Sequence, residues 1–387
     1  MTTLAEATTM RVGGLAERWI DATTRDEVEA AYAEALEGDE PFLVLGGGSN
    51  TVASSEPFPG TVLRIATRGI AHLPQPALPN RPAGEQAPDD DSVVLRVEAG
   101  EEWDALVART VADGLAGIEA LSGIPGSVGA APIQNIGAYG QEVASTLQSI
   151  ELLCLDEGAD ALEVRTVPAA ELRLGYRDSA LKRGQLTGIV LSVDLRLRRS
   201  TDGRSQPVAY QQLATALGVD LGTRVPLADV REHVLALRTA KGMVLSDDPD
   251  SVSAGSFFTN PIVSARFAAD LPADAPRWSV SPEPRASILP LDPDTLPSAD
   301  SLPSLERPVP RVKLSAAWLI EHAGLERGFA LPGSRAAISS KHTLALTNRG
   351  GATGEEVAEL ARFVQARVEN QFGVHLVPEP VLVGLQV

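Results

Sequence analysis

Three side chains stand in company that a purely structural role does not require. Ser256 lies between Gly255 and Phe257-Phe258 in the run SAGSFFTNP, where Gly255 and Pro261 exclude a helix and the aromatic pair favours extended backbone. Arg177 sits in GYRDS, and Glu379 is enclosed by Pro378 and Pro380 near the end of the chain. Each has an ordinary alternative. Ser256 could be the polar residue on the open face of an apolar strand, Arg177 could pair with Asp178, and Glu379 could face water. Together, a fixed cation, a hydroxyl and an acid in apolar surroundings suit a reaction in which an enolate forms and is then protonated.

Two glycine-rich stretches supply a second kind of chemistry. LGGGSN, residues 45–50, and GIPGSVGAAPIQNIGAYG, residues 123–140, lie about eighty residues apart in the first half of the chain. Glycine lets backbone N–H groups converge on an anion without obstruction. Two such loops, the second also carrying Ser127, Gln134, Asn135 and Tyr139, suit a long dinucleotide with a diphosphate and a polar ring. The first does not open into a helix, so it is neither a Rossmann nor a P-loop turn. PLADVREHVLALRTAKG reads as a helix that puts Arg238 and Lys241 one turn apart on a single face.

Other chemistries find little support. The five histidines have no metal-binding spacing, there is no cysteine pair, and Gly255-Ser256-Phe257 lacks the second glycine of a hydrolase elbow, so no metal site is expected. The single thiol, Cys154 in LLCL, reads as a buried structural residue. With 51 acidic against 33 basic residues the net charge is −18, which disfavours nucleic acid and anionic membranes. Neither a signal peptide nor a membrane span is evident, and a cytoplasmic monomer is expected. Lysine occurs only at 182, 241, 313 and 341 in an otherwise arginine-rich chain, which makes each lysine informative.

The elements that must position these residues follow from local pattern. Thr24 to Glu27 is a capping box before a helix ending at Gly38, and Thr353 to Glu356 is another before a helix closed by Gly373. Strands are expected at PFLVL, at SVVLRVE and in a hairpin around Glu157-Gly158. GIVLSVDLRLRR, alternating from Ile189 to Leu197, reads as a half-buried strand, and VHLVPEPVLVG as a terminal strand pair. Trp103 to Val111, PLADVREHVLALRTAKG and KLSAAWLIEHAGL read as helices. STDGRSQP marks a linker near 200–207, while 73–91 and 271–310, dense in proline, read as long loops.

LGGGSN, GIPGSVGAAPIQNIGAYGQE, GYRDS, RTAKG, AGSFFTNP, KLSAAWLIEHAGL and the terminal PEP occur in an order that closely resembles the UDP-N-acetylenolpyruvoylglucosamine reductases. The resemblance spans nearly the whole chain. It implies an α+β fold: an FAD-binding domain of the vanillyl-alcohol oxidase type, with subdomains at 1–69 and 70–200, then an α+β substrate-binding domain at 207–387 with a Pro-rich insertion at about 271–310. It implies reduction of UDP-N-acetylenolpyruvoylglucosamine by NADPH through FAD N5, with Arg177, Ser256 and Glu379 catalytic. FAD would be held non-covalently by Gly46, Gly47, Gly48, Ser49, Asn50, Pro125, Gly126, Ser127, Gly129, Ala130, Asn135 and Gly137, since neither loop has a tethering His or Cys. Tyr139, Arg238, Lys241 and Asn260 would bind substrate, with Arg238 and Lys241 the best local pair for the UDP diphosphate, against the alternative of a solvated helix face. Tyr210 resembles the tyrosine that longer-form members fold over the nucleotide. The chain departs from the family where Thr8-Thr9-Met10 replaces the usual Asn-Thr-Phe and where Pro380 follows the glutamate. A different flavin oxidoreductase, or a non-enzymatic flavin- or sugar-nucleotide-binding protein, are the alternative readings.

Overall fold

The computed structural model describes residues 2–74, 91–155, 161–280 and 310–387. The expected hairpin turn at Glu157-Gly158, most of the 73–91 loop and residues 281–309 lie outside the described residues.

The first unit is a three-stranded parallel sheet, with Phe58–Ile65 between Ala16–Ala22 and Phe42–Leu45. Its helix, Arg25–Glu37, starts where sequence predicts. Thr24 and Glu27 satisfy each other's backbone N–H reciprocally, and Val28 and Ala31 turn inward. Phe42–Leu45 delivers the chain into the first glycine loop.

The second unit is a mixed-length antiparallel sheet in the order Leu162–Pro168, Leu147–Leu155, Ile189–Arg199, Ser92–Glu98, Ile70–Leu73. Ile189–Arg199 was expected to be half-buried, but its residues from Ile189 to Leu195 are buried on both faces. It is a central strand, and the polar positions Ser192 and Asp194 go inside because ions meet them there. Asp194 takes Arg96 and the Ser149 hydroxyl, while Ser192 donates to Glu151, itself paired with Arg25 and Arg96. Alternation in the sequence therefore marked a paired polar layer rather than a solvent face. Cys154 is buried, as read.

Residues 200–207 are not a loose spacer. Ser200 and Ser205 are buried, and Arg224 grips Asp202 through both terminal nitrogens. Beyond the short helix Gln211–Leu217, the helix Leu227–Ala240 buries Leu227, Val230, Val234 and Arg238.

The last unit is built on Gly354–Phe372, a helix with a Thr353–Glu356 capping box and Gly373 in the left-handed conformation (φ 66°) at its end. Val357, Leu360, Ala361, Val364 and Val368 pack into a core shared with Ala316–His322 and the short hairpin Ala336–Ile338/Leu346–Asn348. Two expectations fail here. Arg277–Ser279, inside the stretch read as loop, pairs with Arg311–Leu314. The terminal strand pair does not form. Only Val381–Val383 is a strand, and it runs parallel to Thr51–Ala53 of the first unit. That long-range pairing satisfies more backbone than a hairpin interrupted by two prolines could.

Candidate active site

A cavity of about 500 Å³ lies where the three units meet, walled by both glycine loops, Arg177, Lys182, Arg238, Ser256 and Glu379. The loops touch through bare backbone. A Cβ on Gly47 would fall 2.7 Å from Gly126 Cα, and one on Gly46 would fall 2.2 Å from Ser127 Oγ. Ser49 Oγ ties the loops by donating to Pro125 O at 2.9 Å. The N–H groups of Gly47, Gly48, Ser49 and Asn50 make no backbone–backbone hydrogen bond among the described residues. Unspent donors converging on a cleft without side chains fit a dinucleotide diphosphate.

The chain's far end is stitched to this cradle. Asn50 Nδ2 donates to Gln134 Oε1 (2.8 Å) and to Glu379 O (3.1 Å), and Val381 N donates to Asn50 O. Glu379 N in turn donates to Phe257 O at 2.8 Å, which puts the acid on the strand-like segment beside Ser256. Phe257 and Phe258 are buried edge to face, their centroids 5.2 Å apart, and Gly255 takes a left-handed turn (φ 74°) that leaves Ser256 half-buried on the cleft wall. Met10 is fully buried, and Thr9 donates to Ser253 O at 2.7 Å. At the departure at residues 8–10, Met10 thus joins the same core as Phe257 and Phe258.

Arg177 does not pair with Asp178, which goes to Arg183. Its Nε lies 3.0 Å from Glu379 Oε1, although the N–H is not aligned on that oxygen, while Nη1 and Nη2 donate to Asn135 O and Gly137 O. Glu379 does not face water: its side chain is 11% exposed. Burial pushes its carboxyl above the usual 4.5, against the opposing pull of Arg177 and Lys182. Arg177, Asn135 and Tyr139 all have positive φ (53°, 47° and 49°), a cluster of strained non-glycine backbone around one site.

Several expected residues stand elsewhere. Asn135 is buried behind the cleft, its amide spent on Glu142, Gly175 O and Ala144 N, so it supports the Arg177 loop instead of lining the cavity. Arg238 and Lys241 do not share an open face. Arg238 continues the buried stripe of its helix and reaches the cleft, whereas Lys241 follows the last turn, donates to Gln212 and stands 5.6 Å from the Tyr139 ring centroid. Tyr210, 46% exposed, meets Tyr139 edge-on, 5.7 Å between centroids. Asn260 does not share the wall with Ser256. It lines a neighbouring hollow with Tyr176, where its Oδ1 accepts from Ala316 N at the start of the Ala316–His322 helix.

Two residues beside Arg177 were not among the expected site residues. Lys182 donates to Arg177 O at 3.1 Å and borders both the cleft and the hollow. Tyr176 receives a hydrogen bond from Asn260 N and has the Lys313 ammonium 4.7 Å from its ring centroid. Both flank Arg177 closely, and both are among four residues of their type. Scarcity beside a motif was the available signal.

The geometry agrees with what comparison finds. A model of the FAD binding domain matches residues 16–159, and a model of the UDP-N-acetylenolpyruvoylglucosamine reductase C-terminal domain matches 248–383. The chain is 56% identical to a UDP-N-acetylenolpyruvoylglucosamine reductase of Leifsonia xyli subsp. xyli, covering 99% of this chain and 98% of the relative. It is 44% identical to that of Thermobifida fusca, covering 99% and 97%. The crystal structure of the reductase from Thermus caldophilus superposes with a TM-score of 0.58 at 25% identity, covering 99% and 97%. With an FAD-binding domain matched in its first half, a reductase C-terminal domain matched in its second, and full-length relatives at 56% and 44% identity, the chain belongs to the UDP-N-acetylenolpyruvoylglucosamine reductase family, the FAD-dependent UDP-N-acetylmuramate dehydrogenases of peptidoglycan precursor synthesis.

Proposed function

We propose that this chain, working in the cytoplasm as a monomer, reduces the enolpyruvyl double bond of UDP-N-acetylenolpyruvoylglucosamine with NADPH by using Arg177, Glu379 and Ser256 in separate roles. The observation that carries this reading is their convergence on one wall of the glycine-loop cleft, with Glu379 N bonded to Phe257 O beside Ser256. One hydride and one proton must add across the bond. FAD, held by the two glycine loops, would supply the hydride, drawn from NADPH, for the carbon distal to the substrate carboxylate.

The electron pair displaced by the hydride comes to rest on the carbon next to the carboxylate and on the carboxylate itself. Arg177 answers that charge with a cation that never titrates, and its strained loop is held by Asn135, Gly137 and Lys182 before substrate arrives. Glu379, its carboxyl raised by burial, can stand protonated and donate a hydrogen bond to the same charge. A donor so placed is worth about 3–4 kcal/mol. Ser256 Oγ then gives its proton to the carbanion. A serine hydroxyl is a feeble acid, but the carbanion is a stronger base, and the buried phenylalanines fix the hydroxyl against it.

The UDP part is read as lying outside the flavin cleft, with Lys241, Tyr139 and Tyr210 as the cation and aromatic contacts on one side and Asn260 on the other. Tyr210 would act as the substrate-loop tyrosine of longer-form members. FAD is read as releasable, because no His or Cys lines the cleft among the described residues. The test is Ser256→Ala followed by rapid mixing. Flavin reduction by NADPH needs no proton at the enolpyruvyl carbon and should stay within a few-fold of wild type. Reoxidation by the UDP-sugar should slow by roughly 10²-fold or more. Wild-type reoxidation would remove Ser256 from the reaction.

A further inference from the structure

We propose that Lys182 is a positioning residue for this reaction, a single ammonium that holds the backbone of Arg177 and biases the charge of Glu379, so that the two are set together. It rests on the roles given above to Arg177 and Glu379 and adds the group that couples them.

Lys182 stands where two cavities share a wall. The glycine-loop cleft and the neighbouring hollow of about 660 Å³ have two lining residues in common among the described residues, Arg177 and Lys182. Lys182 Nζ donates to Arg177 O at 3.1 Å. Arg177 has φ 53°, a backbone conformation that persists in a non-glycine residue only where its surroundings fix it. Lys182 is itself fixed from the second glycine loop. Its N donates to Ser179 Oγ at 3.0 Å, and the fully buried Ser179 hydroxyl donates to Ile133 O. The same loop supplies Asn135 O and Gly137 O to the Arg177 guanidinium. Backbone and side chain of Arg177 are therefore held from one place.

The charge of Lys182 has a separate use. Among the described residues no carboxylate pairs with its ammonium, because Asp178, four residues before it, is taken by Arg183. Its field falls on Glu379. Burial pushes the Glu379 carboxyl up, while Arg177 and then Lys182 pull it down. The Tyr176 phenol is the other titratable group in this field. The Asn50 and Phe257 segments hold Glu379 through its backbone and bring no charged side chain. Removing Arg177 would remove the cation that meets the enolate; removing Lys182 would not. Its loss should loosen Arg177, which slows the reaction, and let Glu379 keep its proton to higher pH, which extends the reaction. The two effects have opposite signs and can be read apart.

Lys182 is exposed, so Lys182→Met and Lys182→Arg should leave the fold intact. Each holoenzyme is reduced with NADPH and mixed rapidly with the UDP-sugar, and flavin reoxidation is followed as a function of pH. On the low-pH plateau the Met variant should reoxidise about 10-fold more slowly, with the half-saturating UDP-sugar concentration within about threefold, because Arg177 acts on charge that develops during the reaction. Its decline with pH should lie about half a pH unit or more above that of wild type, a modest shift because Lys182 is screened by solvent. Lys182→Arg, which keeps the charge and the donors, should recover most of the plateau and restore the midpoint. In a Glu379→Gln background, Lys182→Met should still slow reoxidation but find no midpoint to move. A midpoint that Lys182→Met leaves in place, or a plateau within about twofold of wild type, would overturn the role of Lys182 and leave Arg177 and Glu379 in theirs. Identical profiles for wild type and Glu379→Gln would instead overturn the role of Glu379, and that of Lys182 with it.

Discussion

Gly47→Ala isolates the closeness of the two glycine loops from every other property of glycine. Gly47 does not have the left-handed backbone of Gly48 (φ 60°) or Gly126 (φ 119°), so alanine there meets no torsional penalty. What it meets is backbone. The new methyl would lie 2.7 Å from Gly126 Cα, 3.0 Å from Gly126 C and 3.2 Å from Ser127 N. Carbon atoms rest at about 3.5–4.0 Å, so the loops must part by roughly 1 Å. Neither can do so easily, since Ser49 holds Pro125 O and Trp103 N holds Gly126 O. Overpacking of this kind costs about 1–3 kcal/mol. If the cofactor needs the loops in contact, that cost appears in binding as a rise of roughly 5- to 150-fold in the Kd for FAD. Apoprotein titrated with FAD and followed by flavin fluorescence gives the number. Gly38→Ala is the control, because its Cβ would meet nothing closer than 3.7 Å. A Gly47→Ala protein that binds FAD within twofold of wild type, with an unchanged thermal midpoint, would show that the contact between the loops does not shape the site.

Glu379→Gln keeps a neutral hydrogen-bonding side chain and removes the titration. The carboxyl of Glu379 is raised by burial, so its protonated form is present below the raised pKa and lost as pH climbs through it. Wild-type flavin reoxidation by the UDP-sugar should decline with pH over that window, and the Gln variant should be flat there; identical profiles would exclude a protonated Glu379. Glu355→Gln probes the seam between the first and last units. Burial would raise the Glu355 carboxyl, but bonds from the Ser54 hydroxyl and Ser55 hold it down at about 2. Its stabilisation is therefore full above 4.5 and is lost as pH falls toward 2. Glu355 is exposed, and solvent screening reduces the effect to about 1 kcal/mol at pH 7. The variant should be less stable at pH 7 and match wild type near pH 2, as read from urea midpoints; equal midpoints at both would leave the contact without energetic weight.

What was legible in the sequence is what neighbouring residues decide among themselves. Both long capping boxes, the Gly38 and Gly373 stops and the strand running into the first glycine loop form as predicted, because each depends on contacts a few residues apart. The misreadings share a cause. Ile189–Arg199 looked half-buried because Ser192 and Asp194 alternate with aliphatics, and it is distant partners, among them Arg96, Glu151 and Ser149, that make a polar interior tolerable. The closing strand looked like half of a hairpin because its partner, Thr51–Ala53, lies some 330 residues earlier.

The site joins these two kinds of information. Each glycine loop could be read alone, and so could the motifs around Arg177, Ser256 and Glu379. Their meeting could not, because it depends on Asn50 reaching Glu379 O, Val381 N returning to Asn50 O, and Glu379 N reaching Phe257 O. Those three bonds connect the first glycine loop, the buried acid and the Ser256 segment in series. Pro378 and Pro380 have no N–H to offer a competing hairpin, and they leave Glu379 N free for Phe257 O. The same prolines that obscured the strand assignment therefore help to direct the acid to its place.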